Sequence, residues 1–210
     1  MFFITKDGVV KKTELTLFAN INKTGIRALT LRDEDELKFV GLTSGSEKDE
    51  IFIATRNGIS IRFSEEDVRA MGRTAAGVKG ITLRDKDYVV AAVIINPHME
   101  LEKLSVMTIT EEGYGKRTAL SEYKVQARGG KGIINLKISE KTGKIVDVKI
   151  VDDTTEIMLI TSEGTLIRTK VDTVSVIGRS TSGVRIMKVR NEEKVASTVK
   201  ITENPEEEKE

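Results

Sequence analysis

The stretch IFIATRNGISIRF at residues 51–63 has the form of a β-hairpin, because two runs of apolar and β-branched residues flank the pair Asn57-Gly58. Asn-Gly is a strong two-residue hairpin signal, and we expect both of its residues to take positive φ. Alternation along the second run predicts that Arg62 faces away from the buried isoleucines. Three more stretches have this form: FFITKDGVVKKT (2–13), MTITEEGYGKRT (107–118) and MLITSEGTLIRT (158–169).

The four hairpins align column by column, as in a repeat architecture. The turn glycines, 50, 55 and 51 residues apart, are Gly8, Gly58, Gly113 and Gly164. Three residues before each glycine stands a threonine: Thr5, Thr55, Thr110 and Thr161. Four residues after it stands a cation: Lys12, Arg62, Arg117 and Arg168. Ten residues after it stands an apolar residue that we expect in the core: Phe18, Val68, Tyr123 and Val174.

A second motif follows each hairpin and is centred on another glycine. In chain order it reads NKTGIRALTLRDED, RTAAGVKGITLRDKD, RGGKGIINLKISEK and RSTSGVRIMKVRNEE, with glycines at Gly25, Gly77, Gly132 and Gly183. Six residues after each glycine stands an apolar residue: Leu31, Leu83, Ile138 and Val189. The only helix predicted is a single turn at residues 64–67, with Ser64 as its cap.

These repeats predict an all-β fold, a pinwheel or propeller-like array of about four four-stranded blades. We expect one domain over residues 1–202, with repeats at about 1–50, 51–103, 104–156 and 157–202. A WD40 propeller is disfavoured because its period is shorter and the chain has no Trp. Residues 203–210 hold five Glu and one Lys, which predicts an acidic, disordered tail.

The phrases ATRNGISIRFSEEDVRAMGRTAAGVKGI (54–81) and GYGKRTALSEYKVQARGGKGI (113–133) resemble the C-terminal domain of DNA gyrase A. The resemblance extends from about residue 2 to residue 201. It implies a β-pinwheel whose blades exchange strands and whose outer rim wraps double-stranded DNA. It also implies the rest of gyrase A and the gyrase B protein as partners, a cytoplasmic, nucleoid-associated location, and support of ATP-dependent negative supercoiling, with catalysis in other domains.

Two departures from the family pattern qualify the resemblance. The family's gyrase domains have six blades, so we expect this chain to correspond to the last four blades of a longer polypeptide. The family's box, Gln-Arg-Arg-Gly-Gly-Arg/Lys-Gly, belongs to the first blade. Its nearest match here is QARGGKG at residues 126–132, in the third unit and with Ala127 in place of a basic residue.

Charge and spacing indicate where DNA would bind. The chain has 34 Lys and Arg and 33 Asp and Glu; removing one basic and five acidic residues of the tail leaves 33 and 28, a body of +5. One cation per blade would give a belt of positive charge for phosphates. The candidate contacts are Lys12, Arg62, Arg117 and Arg168, the loop residues Arg73, Arg128 and Arg179, and Gly129, Gly130 and Lys131 of the box-like segment. The alternative for the hairpin cations is structural pairing with Asp33, Asp85 or Glu192.

Catalytic and cofactor functions find no support in the sequence. There is no Cys and a single His, His98, beside Pro97, and no zinc or EF-hand spacing occurs. We therefore expect no cofactor, no metal, no membrane span and no enzymatic activity in this domain itself. Two alternatives stay open: the equivalent domain of topoisomerase IV, which guides substrate choice, and a propeller-like protein-interaction module.

Overall fold

The computed structural model describes residues 1–190 and 192–201, which form strands and short 3₁₀ helices. In the first two units the strands are β1 (Phe2–Thr5), β2 (Val9–Lys12), β3 (Leu37–Gly41), β4 (Glu50–Thr55), β5 (Ile59–Ser64), β6 (Val78–Lys79) and β7 (Val89–Ile95). In the last two they are β8 (Ser105–Thr110), β9 (Tyr114–Ala119), β10 (Ile133–Ile134), β11 (Ile145–Val151), β12 (Glu156–Thr161), β13 (Leu166–Lys170), β14 (Val184–Arg185) and β15 (Val195–Ile201).

The strands form four antiparallel sheets that exchange strands between units. Their orders are β3-β1-β2-β6, β10-β5-β4-β7, β11-β8-β9-β14 and β13-β12-β15. The short strands β6, β10 and β14 each come from the second motif of the following unit. The predicted all-β array with strand exchange is confirmed. The fourth sheet has three strands, since no later unit supplies its outer strand among the described residues.

The sheets have an inner and an outer edge. Strands β3, β7, β11 and β15 contact one another in chain order, so they form what we call the inner edge of the array. Strands β6, β10 and β14, with the loops that lead into them, lie on the opposite side of their sheets and form the outer edge.

Three hydrophobic cores lie between successive sheets, at the contacts that we call seams. The first joins Phe2 and Ile4 to Ile61 and Phe63, and the second and third repeat this arrangement further along the chain. A middle sheet therefore buries both faces, as β5 does over Ile59–Phe63. Such a sheet leaves no solvent face for the polar residues of an alternating strand.

The predicted core column is confirmed at three of its four positions. Val68, Tyr123 and Val174 are buried, whereas Phe18 of the first unit is only half-buried. The Tyr123 ring meets the ring of Phe52 almost perpendicularly, with centroids 5.1 Å apart. Burial raises the pKa of the Tyr123 phenol.

The hairpin turns are three-residue loops rather than two-residue ones. Only the glycine takes positive φ, for example +91° at Gly58, so the expectation of positive φ at Asn57 is wrong. The Gly58 N–H donates to the Thr55 carbonyl at 3.2 Å, and the Thr55 hydroxyl accepts the Ile59 N–H at 3.2 Å. A type I turn followed by a left-handed glycine is a common alternative hairpin closure. The Thr column thus supports the turn.

The predicted helical turn is present but is not unique. A 3₁₀ helix spans Glu65–Asp67, and the Ser64 hydroxyl accepts the Glu66 N–H at 3.2 Å. Four others form without a side-chain cap: Leu15–Phe18, Leu101–Lys103, Leu120–Glu122 and Val171–Thr173. In two of them the first residue is a buried aliphatic side chain that anchors the turn in a seam. The predicted acidic tail at 203–210 lies outside the described residues.

Candidate nucleic-acid interface

In the first three units, the cation four residues after the turn glycine lies inside a seam. Arg62 is 8% exposed, and its Nε donates to the Glu50 carboxylate at 2.5 Å. Its Nη1 donates across the seam to the carbonyls of Leu120 and Tyr123, at 3.1 and 3.0 Å. Arg62 does face away from the isoleucines, but the third sheet covers that face as well.

Arg117 repeats this arrangement one unit later, and Arg168 does not. Arg117 is 6% exposed, donates from Nε to the Val174 carbonyl at 2.7 Å and pairs with Asp153 in the loop between β11 and β12. Arg168 pairs with Glu156 of its own hairpin, and 58% of its side chain is exposed. The difference arises because no fifth unit covers the fourth sheet among the described residues.

Lys12 occupies the same position in the first seam, where a buried carboxylate of the second unit faces it. Its ammonium lies 3.5 Å from Glu65 and 3.9 Å from Glu47. Glu65 is 2% exposed and stands where the later units have the buried aliphatic residues Leu120 and Val171. One Glu65 carboxylate oxygen is buried without a hydrogen-bond partner among the described residues, an arrangement that costs stability.

The hairpin cations therefore do not form an external belt. The guanidinium groups of Arg62 and Arg117 are buried and already donate to carbonyls and carboxylates of the seam, so a phosphate at the surface cannot reach them. The structural alternative holds for Lys12, Arg62 and Arg117, although the predicted partners were wrong. Asp33, Asp85 and Glu192 are all exposed, and the partners are Glu65, Glu50 and Asp153 instead.

The loop arginines lie at the outer edge, each reaching back over the preceding unit. Arg73 donates to the Arg27 carbonyl at 3.3 Å, and Arg179 donates to the Ile134 carbonyl at 3.0 Å. Arg128 donates to the carbonyls of Asp67 and Lys79, at 2.7 and 3.0 Å. Carbonyl acceptors orient these half-buried guanidinium groups without neutralising them, so their positive charge remains available to an anion.

The box-like loop is docked on the second unit by its own backbone. The Gly129 N–H donates to the Gly80 carbonyl at 2.6 Å, and the Gly129 and Gly130 carbonyls accept from the hydroxyl and N–H of Thr82. The Gly129 N–H is therefore engaged and does not point at a phosphate. Lys131, by contrast, is exposed beside this loop.

Sequence reasoning missed a second set of cations at the outer edge. Lys79 and Arg185 stand two residues after the second-motif glycine, on β6 and β14, and both are exposed. Arg185 also stacks 5.3 Å from the Tyr114 ring and donates to its hydroxyl at 2.8 Å. Arg27 and Ile134 fill the same column in the other units, so the signal was present but interrupted.

Two buried lysines were also missed, three residues after a turn glycine. Lys116 donates to the carbonyls of Gly178 and Arg179, at 2.7 and 2.6 Å, and Lys11 donates to those of Ala28 and Arg73. Burial lowers the pKa of Lys116 to about 8 and lowers that of Lys11 as well. These ammonium groups hold the loops that carry Arg73 and Arg179.

The outer edge consequently carries several cations that are not neutralised by an ion pair. Among the described residues, none of the following side chains forms an ion pair with a carboxylate: Arg73, Lys79, Arg128, Lys131, Arg179 and Arg185. Over residues 1–190 and 192–201 there is no cluster of three metal-ligating side chains. No helix in that part of the chain has the length and apolar character needed to cross a membrane.

Comparison with known proteins gives one match for each repeat unit. A family model described as "DNA gyrase C-terminal domain, beta-propeller" matches residues 1–44, 49–96, 105–152 and 155–202. The chain is 44% identical over 203 residues to the DNA gyrase A protein of Salmonella typhimurium, covering 97% of this chain and 22% of that protein. It is 46% identical over 187 residues to the DNA gyrase A protein of Lawsonia intracellularis, covering 89% of this chain and 22% of that protein.

The fold is similar to two solved structures. One is the C-terminal domain of DNA topoisomerase IV, with a TM-score of 0.87 and 27% identity over 95% of this chain and 61% of that chain. The other is the DNA gyrase A C-terminal domain, with a TM-score of 0.81 and 25% identity over 96% of this chain and 65% of that chain. The chain spans about a fifth of the length of the curated relatives named above.

Proposed function

The chain belongs to the DNA gyrase C-terminal domain family, and from that premise we propose that its outer edge binds double-stranded DNA and bends it around the array. The observation that carries the proposal is the row of Lys and Arg side chains along successive sheets that form no ion pair with a carboxylate. Lys79 stands on the first sheet, Arg128 and Lys131 on the second, and Arg179 and Arg185 on the third.

The physical basis is neutralisation of phosphates along a curved path. Each Lys or Arg that contacts a phosphate releases condensed counterions, so affinity falls steeply with salt. A protein that repeats such contacts from blade to blade, without reading base edges, bends DNA of any sequence. In this proposal Lys12, Arg62 and Arg117 stabilise the seams that set the curvature, and they are not among the residues that contact DNA.

The test is the salt dependence of binding to a long duplex. We expect the double variant Arg128→Ala/Lys131→Ala to bind more weakly on any sequence, with the slope of log affinity against log salt reduced by about 2. The matched control is Lys38→Ala/Lys103→Ala, which removes the same charge. Lys38 lies on the inner-edge strand β3 and pairs with Glu36, and Lys103 pairs with Glu100.

The control separates a DNA path from general attraction. Equal losses in the two double variants would refute the outer-edge assignment, because only net charge would then matter. A flat salt response of the unmodified chain would refute phosphate binding altogether and favour a protein-interaction module. Thermal melts of each variant establish that its fold is retained.

Wrapping, as distinct from binding, has its own readout. A nicked circle that is closed by ligase while the full chain is bound acquires a changed linking number if the DNA is wrapped with one hand. We expect such a change, and binding without any change would limit the proposal to DNA attachment.

Within the longer relatives, the same surface would hold DNA for the rest of the enzyme. We propose that the chain works with the remainder of the gyrase A polypeptide and with gyrase B in the cytoplasm, near the nucleoid, where the holoenzyme's ATP-dependent reaction introduces negative supercoils. The domain itself would contribute no catalytic group. The equivalent role in topoisomerase IV is the second candidate, favoured by the TM-score of 0.87 but opposed by 44% identity to a gyrase A protein.

A further inference from the structure

Two lysines are buried directly beneath loops of the outer edge. Lys11 and Lys116 stand at the same repeat position, and each is 0% exposed. Each ammonium group donates to the main-chain carbonyl of the loop arginine above it, Arg73 in the first seam and Arg179 in the third. A second loop carbonyl also accepts from each ammonium group. The same contact between a buried lysine and a loop arginine thus occurs twice in the array.

The second and fourth units have isoleucine at this position, Ile61 and Ile167, and Ile61 shows that a loop docks without the lysine. Its Cδ1 lies 3.6 Å from where a Cβ of Gly130 would stand, beneath the box-like loop. The Gly129 and Gly130 carbonyls accept instead from the hydroxyl and N–H of Thr82, at 2.7 and 2.8 Å. Because an apolar side chain supports a docked loop equally well, packing alone does not explain the lysine.

The Lys116 ammonium is a buried charge without an ion-pair partner among residues 1–190 and 192–201. Two charged groups act on it, the Glu122 carboxylate of the neighbouring 3₁₀ helix and the Arg179 guanidinium. Thr108, opposite on β8, and the Tyr123 phenol, whose pKa burial raises, carry no charge. Burial lowers the pKa of Lys116 to about 8, so this lysine exchanges its proton where an exposed lysine stays charged.

The contact with Lys116 places Arg179. The Arg179 guanidinium lies half-buried at the outer edge, 6.0 Å from the Tyr123 ring, and donates to the Ile134 carbonyl at 3.0 Å. The main-chain carbonyls of Gly178 and Arg179 accept from the Lys116 ammonium at 2.7 and 2.6 Å. A protonated lysine makes both hydrogen bonds charge-assisted and adds a positive charge behind the guanidinium group. Loss of the proton weakens the hydrogen bonds and removes that charge.

We propose that Lys116 is a positioning residue for DNA binding: its protonated ammonium group holds the Arg179 loop at the outer edge, so that DNA binding is coupled to proton uptake at Lys116. A phosphate beside Arg179 favours the charged form of the lysine behind it. By linkage, affinity for DNA falls as pH rises through the range in which Lys116 loses its proton. The inference rests on the DNA binding proposed above.

This coupling gives DNA affinity and stability opposite responses to pH. The unfolded chain binds more protons at Lys116 than the folded chain, so the free energy of unfolding rises with pH above about 8. The DNA complex binds more protons than the free folded chain, so affinity falls over the same range. A lysine that only stabilised the fold would not weaken DNA binding when it loses its proton.

The affinity of the full chain for a long duplex of mixed sequence, measured at constant ionic strength, tests the coupling. From about pH 7 to about pH 9.5 we expect affinity to fall about tenfold, which corresponds to a rise of roughly one unit in the pKa of Lys116 on binding. Lys116→Met should bind about tenfold more weakly at low pH and lose little more at high pH. The Met1 amine and Lys11, whose pKa values burial also lowers, are common to both proteins, so the difference between the profiles belongs to Lys116.

Double variants show whether Lys116 acts through Arg179. In the Arg179→Ala background, Lys116→Met should weaken DNA binding by only about twofold, because the guanidinium group that it positions is absent. In the Arg128→Ala background the loss should remain about tenfold, because that loop docks over Ile61 and does not contact Lys116.

Chemical rescue identifies the ammonium group as the cause. The chain contains no Cys, so Lys116→Cys offers a single thiol, which 2-bromoethylamine converts in the unfolded chain to a lysine analogue. After refolding, this protein should recover the affinity and the pH profile, whereas the same protein alkylated with a neutral reagent should not. Recovery with both reagents would show that side-chain volume positions Arg179, and it would overturn the inference.

The remaining outcomes separate this inference from the proposed function. Equal pH profiles in the unmodified chain and Lys116→Met, or equal losses in the two double-variant backgrounds, overturn the inference and leave DNA binding intact. A chain that binds no DNA at any pH overturns both. Thermal melts establish that Lys116→Met folds, as the isoleucines of two units lead us to expect. Calorimetry of the unmodified chain in buffers of different ionisation enthalpy needs no variant, and absence of proton uptake at about pH 8.5 also overturns the inference.

Discussion

Replacing Arg62 by Ala and, separately, Arg168 by Ala tests whether the hairpin cations stabilise seams. The two residues share one repeat position but differ in surroundings. Removing Arg62 leaves two seam carbonyls, those of Leu120 and Tyr123, and the Glu50 carboxylate without their donor. Breaking a buried ion pair by removing one partner costs about 3–5 kcal/mol, and we expect a loss of that size in the free energy of unfolding.

Arg168 provides the matched comparison. Its side chain is 58% exposed, and its partner is Glu156 of the same hairpin. An exposed ion pair contributes about 0–1 kcal/mol, so Arg168→Ala should cost no more than this. The expected difference between the two variants is about 3 kcal/mol, or roughly 10 °C in melting temperature for a chain of this size.

Urea denaturation followed by far-UV circular dichroism and tyrosine fluorescence measures both values. Tyr123 lies in the seam that Arg62 bridges, so its fluorescence reports local opening. Arg62→Lys should be intermediate, because an ammonium keeps the charge but cannot reproduce the planar fork of donors. The reasoning is refuted if Arg62→Ala and Arg168→Ala have equally small effects. It is also refuted if Arg62→Ala weakens DNA binding while leaving stability within about 0.5 kcal/mol.

Three further predictions concern the seams. Gly113→Ala should lower the free energy of unfolding by about 3 kcal/mol or more, since its Cβ would clash with the Met187 carbonyl oxygen. Gly164→Ala should lower it by only about 1 kcal/mol, the cost of left-handed strain. Equal losses in urea titrations would contradict the seam geometry. Glu65→Leu should lower the free energy of unfolding by about 3 kcal/mol, because it removes the buried carboxylate that faces the Lys12 ammonium in the first seam; unchanged or raised stability would mean that the incompletely paired carboxylate is a net cost. Burial lowers the pKa of Lys116 from 10.5 in the unfolded chain to about 8 in the folded chain. Between these pH values the unfolded state binds more protons, so the free energy of unfolding rises with pH. Lys116→Met should lack this rise, and a stability difference between the two proteins that does not change with pH would contradict the prediction.

The site was harder to predict than the fold. The box-like loop with Arg128 and Lys131 was identified from its similarity to a family motif, and both side chains lie at the outer edge. The hairpin column containing Arg62 was the most regular feature of the sequence, and the structure places its first three members inside the seams. Regular spacing identifies a repeated position, but it does not distinguish a repeated seam contact from a repeated surface contact.

The missed cations have the opposite character. Lys79 and Arg185 belong to a column that Ile134 interrupts, so they carried little weight in the sequence. Their exposure follows from the exchange of strands, which moves a two-residue strand of one unit to the outer edge of the preceding sheet. That exchange depends on contacts between residues about 70 positions apart, such as Gly115 and Val184.

The amino-acid sequence alone determined the four units, their hairpins and their all-β character, because period-two alternation and turn chemistry act between residues that are close along the chain. The tertiary structure decided which cations meet solvent, because stacking the sheets covers both faces of those in the middle.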